Sequence, residues 1–368
     1  MMWPARIGRA ELPDSGRIIA ISDVHANLPY LRGVLEKAAF SAGDTLVLCG
    51  DMLEKGPQSL DTLRYIMELS RSRRVLGVQG NCDCWQEEIY RPQGYSDGYL
   101  RRYLASNGGG WGPGILAQMC AEIGFPLSPE PDIPAMRAAL RENFRAELDF
   151  IDSFPHVLET EHYTFVHGGL PEGAPEGWDG WECMKNDDFM GQGRSFPRWV
   201  IAGHWPVQLY GGDICCANPV IDRRRKIASI DGGCVLKDDG QLNALVIPRN
   251  GSEDFQLVAY DRFPVRRVKS AQAASGRSAY IRWGDNVVQV LRRGEEFSRC
   301  RHVRTGYELD ILNKYLYGGE DIVRCNDCTD YVLPLSPGDE VGVVETTSRG
   351  YLVKHKGVSG WYFGELEG

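Results

Sequence analysis

Long apolar runs are missing from this chain. No stretch reaches the roughly 20 residues a membrane-spanning helix needs, and no apolar core follows the first residues as in a secretory leader. Both absences set the expectation of a cytoplasmic protein with no membrane partner. An excess of basic charge is missing too: the formal net charge is −9 over 368 residues. That argues against a stable nucleic-acid complex made through a broad basic face. It leaves room for a nucleotide or phosphoprotein substrate, because a bound dication supplies positive charge locally. A disulfide framework is also absent. The eleven cysteines are odd in number, and Cys49, Cys215, Cys216 and Cys234 lie in or beside apolar runs. They read as small buried hydrophobes in a reducing compartment. Cys325 and Cys328 form a CxxC without a second pair at zinc-ribbon spacing, so the four ligands of a structural zinc site are lacking.

What is present is a chain able to build a core unaided. Hydrophobic residues make up 43% and charged residues 25%, ordinary values for a globular protein. Residues 17–83 repeat one pattern. An apolar run ends at Asp23, a second ends at Asp51, and a third ends at Asn81. Between them lie two helical stretches. Leu28, Leu31, Val34, Leu35 and Ala38 share a face in the first, and Leu60, Leu63, Ile66 and Met67 in the second. This is a βαβαβ start with parallel strands, and the polar residues fall at the strand ends, the edge where α/β sheets bind ligands. Residues 1–16 are an N-terminal extension. Residues 85–150 loosen into loops and helical segments, an insertion near the site. Strands resume at 163–166, 199–202, 226–230 and 242–247, closing a domain over 17–262. Residues 265–368 carry short strand-like runs separated by Gly, Asp and Asn. They predict a C-terminal β region of one or two SH3-like modules, suited to a protein partner.

The strand-end residues form a set. Asp23 and His25 stand two apart after the first strand, Gly50-Asp51 follows the second, and Gly80-Asn81 the third. His167 lies in Val166-His167-Gly168-Gly169, and His204 in Gly203-His204-Trp205-Pro206. Carboxylate and amide oxygens mixed with imidazoles suit manganese, iron, cobalt or zinc better than calcium or magnesium. Asp51 stands where it would bridge two such ions. His156 and His162 precede a strand without adjoining glycine and read as structural. Arg223, Arg224, Arg225 and Lys226 read as a solvated loop. Trp111, Trp178, Trp181 and Trp205 read chiefly as packing, with contact to a ligand as the alternative.

The order Asp-x-His, Gly-Asp-x-x-x-x-Gly, Gly-Asn-x-Asp, His-Gly-Gly and Gly-His-x-Pro resembles the calcineurin-like metallophosphoesterases over roughly residues 17–250. The sequence from Gly50 to Pro57 and the two histidine motifs resemble the phosphoprotein phosphatase branch, to which diadenosine-tetraphosphate hydrolases also belong. The resemblance implies a metallophosphoesterase-type α/β fold, a β-sandwich flanked by helices. It implies that Asp23, His25 and Asp51 hold one divalent metal, and that Asp51, Asn81, His167 and His204 hold the other. Manganese is the first choice, with iron, zinc or cobalt as alternatives. The implied chemistry is in-line attack on phosphorus by a metal-bridging hydroxide. Asp51, Asn81, Cys82 and Asp83 are then the catalytic group, with Lys55 and Asn81 as substrate contacts.

Two positions depart from the family pattern. Cys82 stands where the family often carries a histidine acid, and a thiol with a free pKa near 8.5 is a poor substitute. Lys55 stands where the branch usually carries an arginine, and it offers a point charge in place of a bidentate fork. The expected activity is that of a phosphoprotein or phosphomonoester phosphatase. The alternatives are a nucleotide hydrolase of the diadenosine-tetraphosphate type, a phosphodiesterase, or a catalytically weak scaffold working through its C-terminal modules.

Overall fold

The computed structural model describes residues 3–91, 97–319 and 322–367. The N-terminal extension, the insertion and the C-terminal region therefore include residues 1–2, 92–96, 320, 321 and 368 that lie outside the description. The chain divides into two units. The first comprises Met1–Pro206, Pro219–Val235 and Gln241–Tyr260, and the second Val207–Asn218, Leu236–Gly240 and Asp261–Gly368.

In chain order the strands up to Tyr260 are β1 (Ile7–Arg9), β2 (Ile18–Ile21), β3 (Thr45–Cys49), β4 (Arg74–Val78), β5 (Val157–Glu159), β6 (Tyr163–Val166), β7 (Trp199–Ala202), β8 (Cys215–Cys216), β9 (Val220–Asp222), β10 (Ile227–Ser229), β11 (Leu242–Ile247) and β12 (Gln256–Tyr260). All but β8 build two sheets in the first unit, with orders β12-β11-β2-β3-β4 and β1-β5-β6-β7-β10-β9. In the first sheet β2, β3 and β4 are parallel, and in the second β6, β7 and β10 are parallel.

The period-two alternation of these strands explains why they are buried on both faces. Ile18, Ala20, Val47, Cys49 and Val78 join Phe165, Ile201 and Ala228 in one apolar cluster shared by the two sheets. The intervening residues Ile19, Ile21, Leu46 and Leu48 join a second cluster with the helices. A sandwich whose outer face is covered by helices follows, as the α/β pattern predicts.

Helix α1 (Leu28–Lys37) carries Pro29 in its first turn, where a missing N–H costs nothing, and buries Leu28, Leu31, Val34 and Leu35. Helix α2 (Ser59–Ser72) buries Leu60, Leu63 and Ile66. The segment between β4 and β5 folds into α3 (Trp85–Tyr90), α4 (Asp97–Ala105), α5 (Ile115–Glu122), α6 (Ile133–Asn143) and α7 (Arg145–Asp152). Leu100, Leu116, Met119, Met136, Leu140 and Leu148 from these helices enter the same cluster as α1 and α2. The insertion thus extends the existing core. Buried Phe144 caps α6 and immediately precedes α7, dividing the two helices.

The second unit is all-β. It holds five-stranded sheets around residues 287–325 and 340–362, and β8 extends the latter by pairing Cys215 and Cys216 with Ser359 and Val358. Among the described residues no helix is long and apolar enough to cross a membrane.

Candidate metal centre

Six parallel strand ends of the first unit supply the site. Asp23, Asp51, Asn81, His167, His204 and Asp231 follow β2, β3, β4, β6, β7 and β10 in turn. The turns are stitched together by main-chain bonds. Asp23 N–H donates to Gly50 O at 3.0 Å, His25 N–H to Asp51 O at 2.9 Å, and Gly203 N–H to His167 O at 2.8 Å. Asp23, His25, Asp51, Lys55 and His204 all have φ between 48° and 67°. Non-glycine residues rarely occupy this left-handed region, and such strain of about 1 kcal/mol or more each persists where surrounding structure enforces it. Gly80 is required for a different reason: a Cβ there would lie 2.2 Å from Asp51 Oδ1.

The carboxylates are held at fixed points. Asp51 Oδ1 accepts from Cys82 N–H at 2.8 Å and lies 3.3 Å from His167 Nε2. Asp23 Oδ2 accepts from the backbone N–H of His204 at 2.9 Å. His25 Nε2 is 3.7 Å from Asp23 Oδ1 and 3.8 Å from Asp51 Oδ2. His167 Nδ1 faces Cys49 O at 2.9 Å, so Nδ1 carries a proton and donates it there, while Nε2 is turned to Asp51.

Two sets of three side chains bring ligand atoms within 4.8 Å of one another: Asp23, Asp51 and His167, and His25, Asp51 and Cys82. Asp51 belongs to both, as a bridging ligand must. The sets divide differently from the split the resemblance implies, since His167 joins Asp23 and Cys82 joins His25.

The donor set fits metal ions on an independent observation. Asp23 Oδ1, Asn81 Oδ1, His25 Nε2 and His167 Nε2 are buried with no hydrogen-bond partner. Unmet groups of this kind are costly without a ligand. The electrostatics agree. Burial pushes the Asp23 carboxyl up to about 6, with His167 opposing and Asp51 reinforcing the rise. Burial brings His25 down to about 3. Burial opposes the charge on His167, but Asp51 and Asp23 outweigh it and raise the imidazole to about 10. His167 thus serves as the countercharge that a dication would replace.

Asp83 is buried, and its carboxylate accepts from Met52 N–H, Leu53 N–H and Gly80 N–H at 2.9, 3.0 and 3.1 Å. That bonding clamps the turn carrying Asp51 onto the turn carrying Asn81. Cys82 is half-buried, and burial and then Asp51 hold its thiol well above the ordinary range. Asn81 Nδ2 donates to its sulfur at 3.3 Å. Lys55 is half-buried, and although burial opposes its charge, Cys82, Asp51, Asp23 and Asp231 raise its ammonium. His204 has its Nε2 on Asp187 Oδ1 at 2.8 Å.

His156 is buried with Nδ1 accepting from Arg6 N–H at 2.9 Å. His162 is part-exposed beside Glu161. Arg225 is tied to Asp222, and Lys226 pairs with Glu253. Trp178 is buried, and Trp111 is exposed.

Three residues escaped the sequence reading. Asp231 is buried, accepts from Gly233 N–H at 2.8 Å and keeps Oδ2 unpartnered. It ends a strand and precedes two glycines, so the rule that found Asp51 would have found it. Glu54 is buried beside Lys55. Its Oε1 accepts from Ile115 N–H at 2.7 Å and its Oε2 from the Tyr103 hydroxyl. Asp187 sits in a turn-rich stretch with no strand before it, and nothing in the sequence singles it out.

A helix-flanked sandwich with a shared carboxylate between two donor sets at its strand ends defines a metal-dependent hydrolase. Residues 16–231 match the family model described as calcineurin-like phosphoesterase, and the chain belongs to that family. Over 64 residues it is 47% identical to the symmetrical bis(5'-nucleosyl)-tetraphosphatase of Escherichia coli strain K12 / DH10B, covering 17% of this chain and 22% of that protein. The protein of the same description from Shigella boydii serotype 18 matches equally. The match therefore spans about a fifth of these relatives' length. Among solved structures, a candidate diadenosine tetraphosphatase is similar at 18% identity and a TM-score of 0.45, covering 70% of this chain and 97% of that one. A protein serine/threonine phosphatase from Saccharomyces cerevisiae is similar at 12% identity and a TM-score of 0.40, covering 71% and 85%.

Proposed function

We propose that the chain is a phosphomonoester phosphatase, acting on a phosphoprotein or a small phosphate ester with two divalent ions bound at Asp23, His25, Asp51, Asn81, His167 and His204. The observation that carries this reading is Asp51, common to both donor sets and ringed by buried donor atoms without partners. Bound there, two divalent ions would lower the pKa of water and neutralise phosphate oxygens. The chain's own residues do the rest. Asp83 holds the Asp51 and Asn81 turns in register, Asn81 offers its amide to a phosphate oxygen, and the ammonium of Lys55 orients the ester. Cys82 is a weak acid beside the leaving group, so esters whose alcohols are already acidic are the favoured substrates. Manganese is the first ion to test, with iron, zinc and cobalt after it. The C-terminal β region is taken as SH3-like and as the docking part for a protein partner, and the compartment as the cytoplasm.

Turnover of an aryl phosphate should rise with manganese and vanish in Asp51→Asn and His204→Ala. Mass spectrometry under native conditions should count two ions in the wild-type chain and fewer in Asp51→Asn. A folded, metal-loaded chain inert to every phosphate ester would overturn the proposal.

The 64-residue match favours a second reading, a hydrolase of dinucleoside tetraphosphates. Comparing kcat/KM for diadenosine tetraphosphate, cyclic nucleotides and phosphoserine peptides separates the readings.

A further inference from the structure

The two histidines at the strand ends of the second sheet are held by opposite nitrogens. His167 gives its Nδ1–H to Cys49 O at 2.9 Å, which leaves Nε2 for a ligand. His204 instead has Nε2 at 2.8 Å from Asp187 Oδ1. A carboxylate only accepts, so Nε2 carries the proton and the lone pair remains on Nδ1. Nδ1 is the ring nitrogen nearer the main chain. The His204 main chain is itself fixed on the site, its N–H at 2.9 Å from Asp23 Oδ2, and its ring centroid is 5.2 Å from that of His167.

The loop that brings Asp187 is fastened to the His167 turn. Gly168 N–H and Gly169 N–H both donate to Cys183 O, at 2.8 and 3.2 Å. The approach is close enough that a Cβ on Gly168 would lie 2.6 Å from Asn186 N. Gln192 Nε2 donates to Asn186 Oδ1 at 2.6 Å, and Asp188 next in sequence has φ of 52°. The ordinary alternative is a solvated ion pair, since Asp187 is half-exposed and Lys185 Nζ lies 3.6 Å away. That pair is longer than the His204 bond, and the His204 side chain is only 9% exposed. A charge-assisted hydrogen bond to a nearly buried ring fixes an orientation that a surface pair does not.

We infer that Asp187 is a positioning residue: it accepts the hydrogen bond of His204 Nε2–H, keeps the proton on that nitrogen, and so selects Nδ1 as the atom by which His204 binds metal. This rests on the dinuclear reading above. Carboxylates that orient a ligating histidine typically contribute 10–100-fold in metal affinity.

Three variants of the full chain test it: Asp187→Ala, Asp187→Asn and Lys185→Ala. Manganese titration by calorimetry gives the count and affinity of ions without reference to turnover. Asp187→Ala should weaken one of the two ions by about 10–100-fold. Asp187→Asn, whose side-chain oxygen still accepts from Nε2–H, should stay within a few-fold of wild type, as should Lys185→Ala. In the metal-free chain labelled with 15N-histidine, His204 should show a protonated Nε2 in wild type and lose that fixed tautomer in Asp187→Ala. This spectrum also reports whether each variant is folded. Unchanged manganese affinity in Asp187→Ala overturns the inference. So does an Asp187→Asn as weak as Asp187→Ala, which would make the carboxylate itself a ligand. A wild-type chain that binds no manganese, iron or zinc overturns the dinuclear reading instead, so the two failures are distinct.

Discussion

Asp51 and Lys55 stand four residues apart in one turn and have opposite tasks. Asp51 must stay ionised among other acids. His167, His25 and Lys55 hold its carboxyl well below the ordinary range against the opposing effect of burial. Lys55 must keep its charge while half-buried, and the neighbouring acids secure that. Its ammonium is a point charge without the planar fork of an arginine, so it should contribute mainly to ester binding. Lys55→Ala should raise KM for an aryl phosphate by about tenfold with a smaller change in kcat, as expected when roughly 1–2 kcal/mol of uniform binding is lost. Steady-state kinetics at saturating manganese reads this directly, and an unchanged KM would make Lys55 a loop residue without contact to the ester. Away from the site, His156 gives a pH signature. Burial brings its imidazole from 6.5 down to about 4, with Arg6 adding to the shift. The folded state therefore favours the neutral ring. Its stabilisation is complete above the unfolded value of 6.5 and is lost as pH falls from there toward 4, on the order of 3 kcal/mol in all. Urea unfolding followed by tryptophan fluorescence should show that loss, and His156→Gln should flatten the slope between pH 6.5 and 4. The Trp3 ring 5.3 Å from His156 is a built-in reporter.

At the scale of elements, the strands of the sandwich were plain in the sequence because burial on both faces makes continuous apolar runs. Ile18–Ile21 and Thr45–Cys49 are such runs, and polar residues mark where they end, Ser22-Asp23 after the first and Gly50-Asp51 after the second. His167 and His204 were legible for the same reason. The partners of the site were not. Asp187 reaches His204 from a loop, and Glu54 finds Ile115 and Tyr103 far along the chain, contacts that no local period encodes. Glu54 fastens the turn carrying Lys55 to the start of α5 and to α4. Burial pushes its carboxyl up to about 7, although Ile115 N–H favours the charged form. Removing one donor to a buried carboxylate should cost about 1.5–3 kcal/mol. Tyr103→Phe should therefore loosen the glycine-rich stretch 106–114 between α4 and α5. Limited proteolysis should cut there faster in the variant than in wild type, while manganese binding stays intact. Equal cutting rates would show that the apolar contacts of Leu100, Ile115 and Leu116 hold the insertion by themselves.

For the whole molecule, the composition change near residue 265 suggests a boundary that a truncation could respect. The chain is wired differently. Segments Val207–Asn218 and Leu236–Gly240, both well inside residues 17–262, fold with the C-terminal strands. Their bonds are not incidental. Cys215 and Cys216 form the edge strand beside Val358–Tyr362, Lys237 pairs with Asp327, and the buried Lys354 donates to Asp239 O at 2.7 Å. Composition could not reveal this, because a two-residue strand and a five-residue segment carry no period to detect. Cutting after residue 260 would strip these segments of their partners, exposing an unpaired strand edge and leaving Lys237 without its carboxylate. The truncated chain should thus be less soluble, and its thermal midpoint should fall by several degrees, even though every proposed metal ligand is retained. Scanning calorimetry on the full chain and on residues 1–260 decides it. A fragment as soluble and heat-stable as the full chain would mean that the two inserted segments tolerate solvent and that the boundary near residue 265 is a true one. If the fragment instead needs residues 261–368 supplied in trans to recover its midpoint, the β unit is a structural complement of the catalytic chain, whatever partner it also binds.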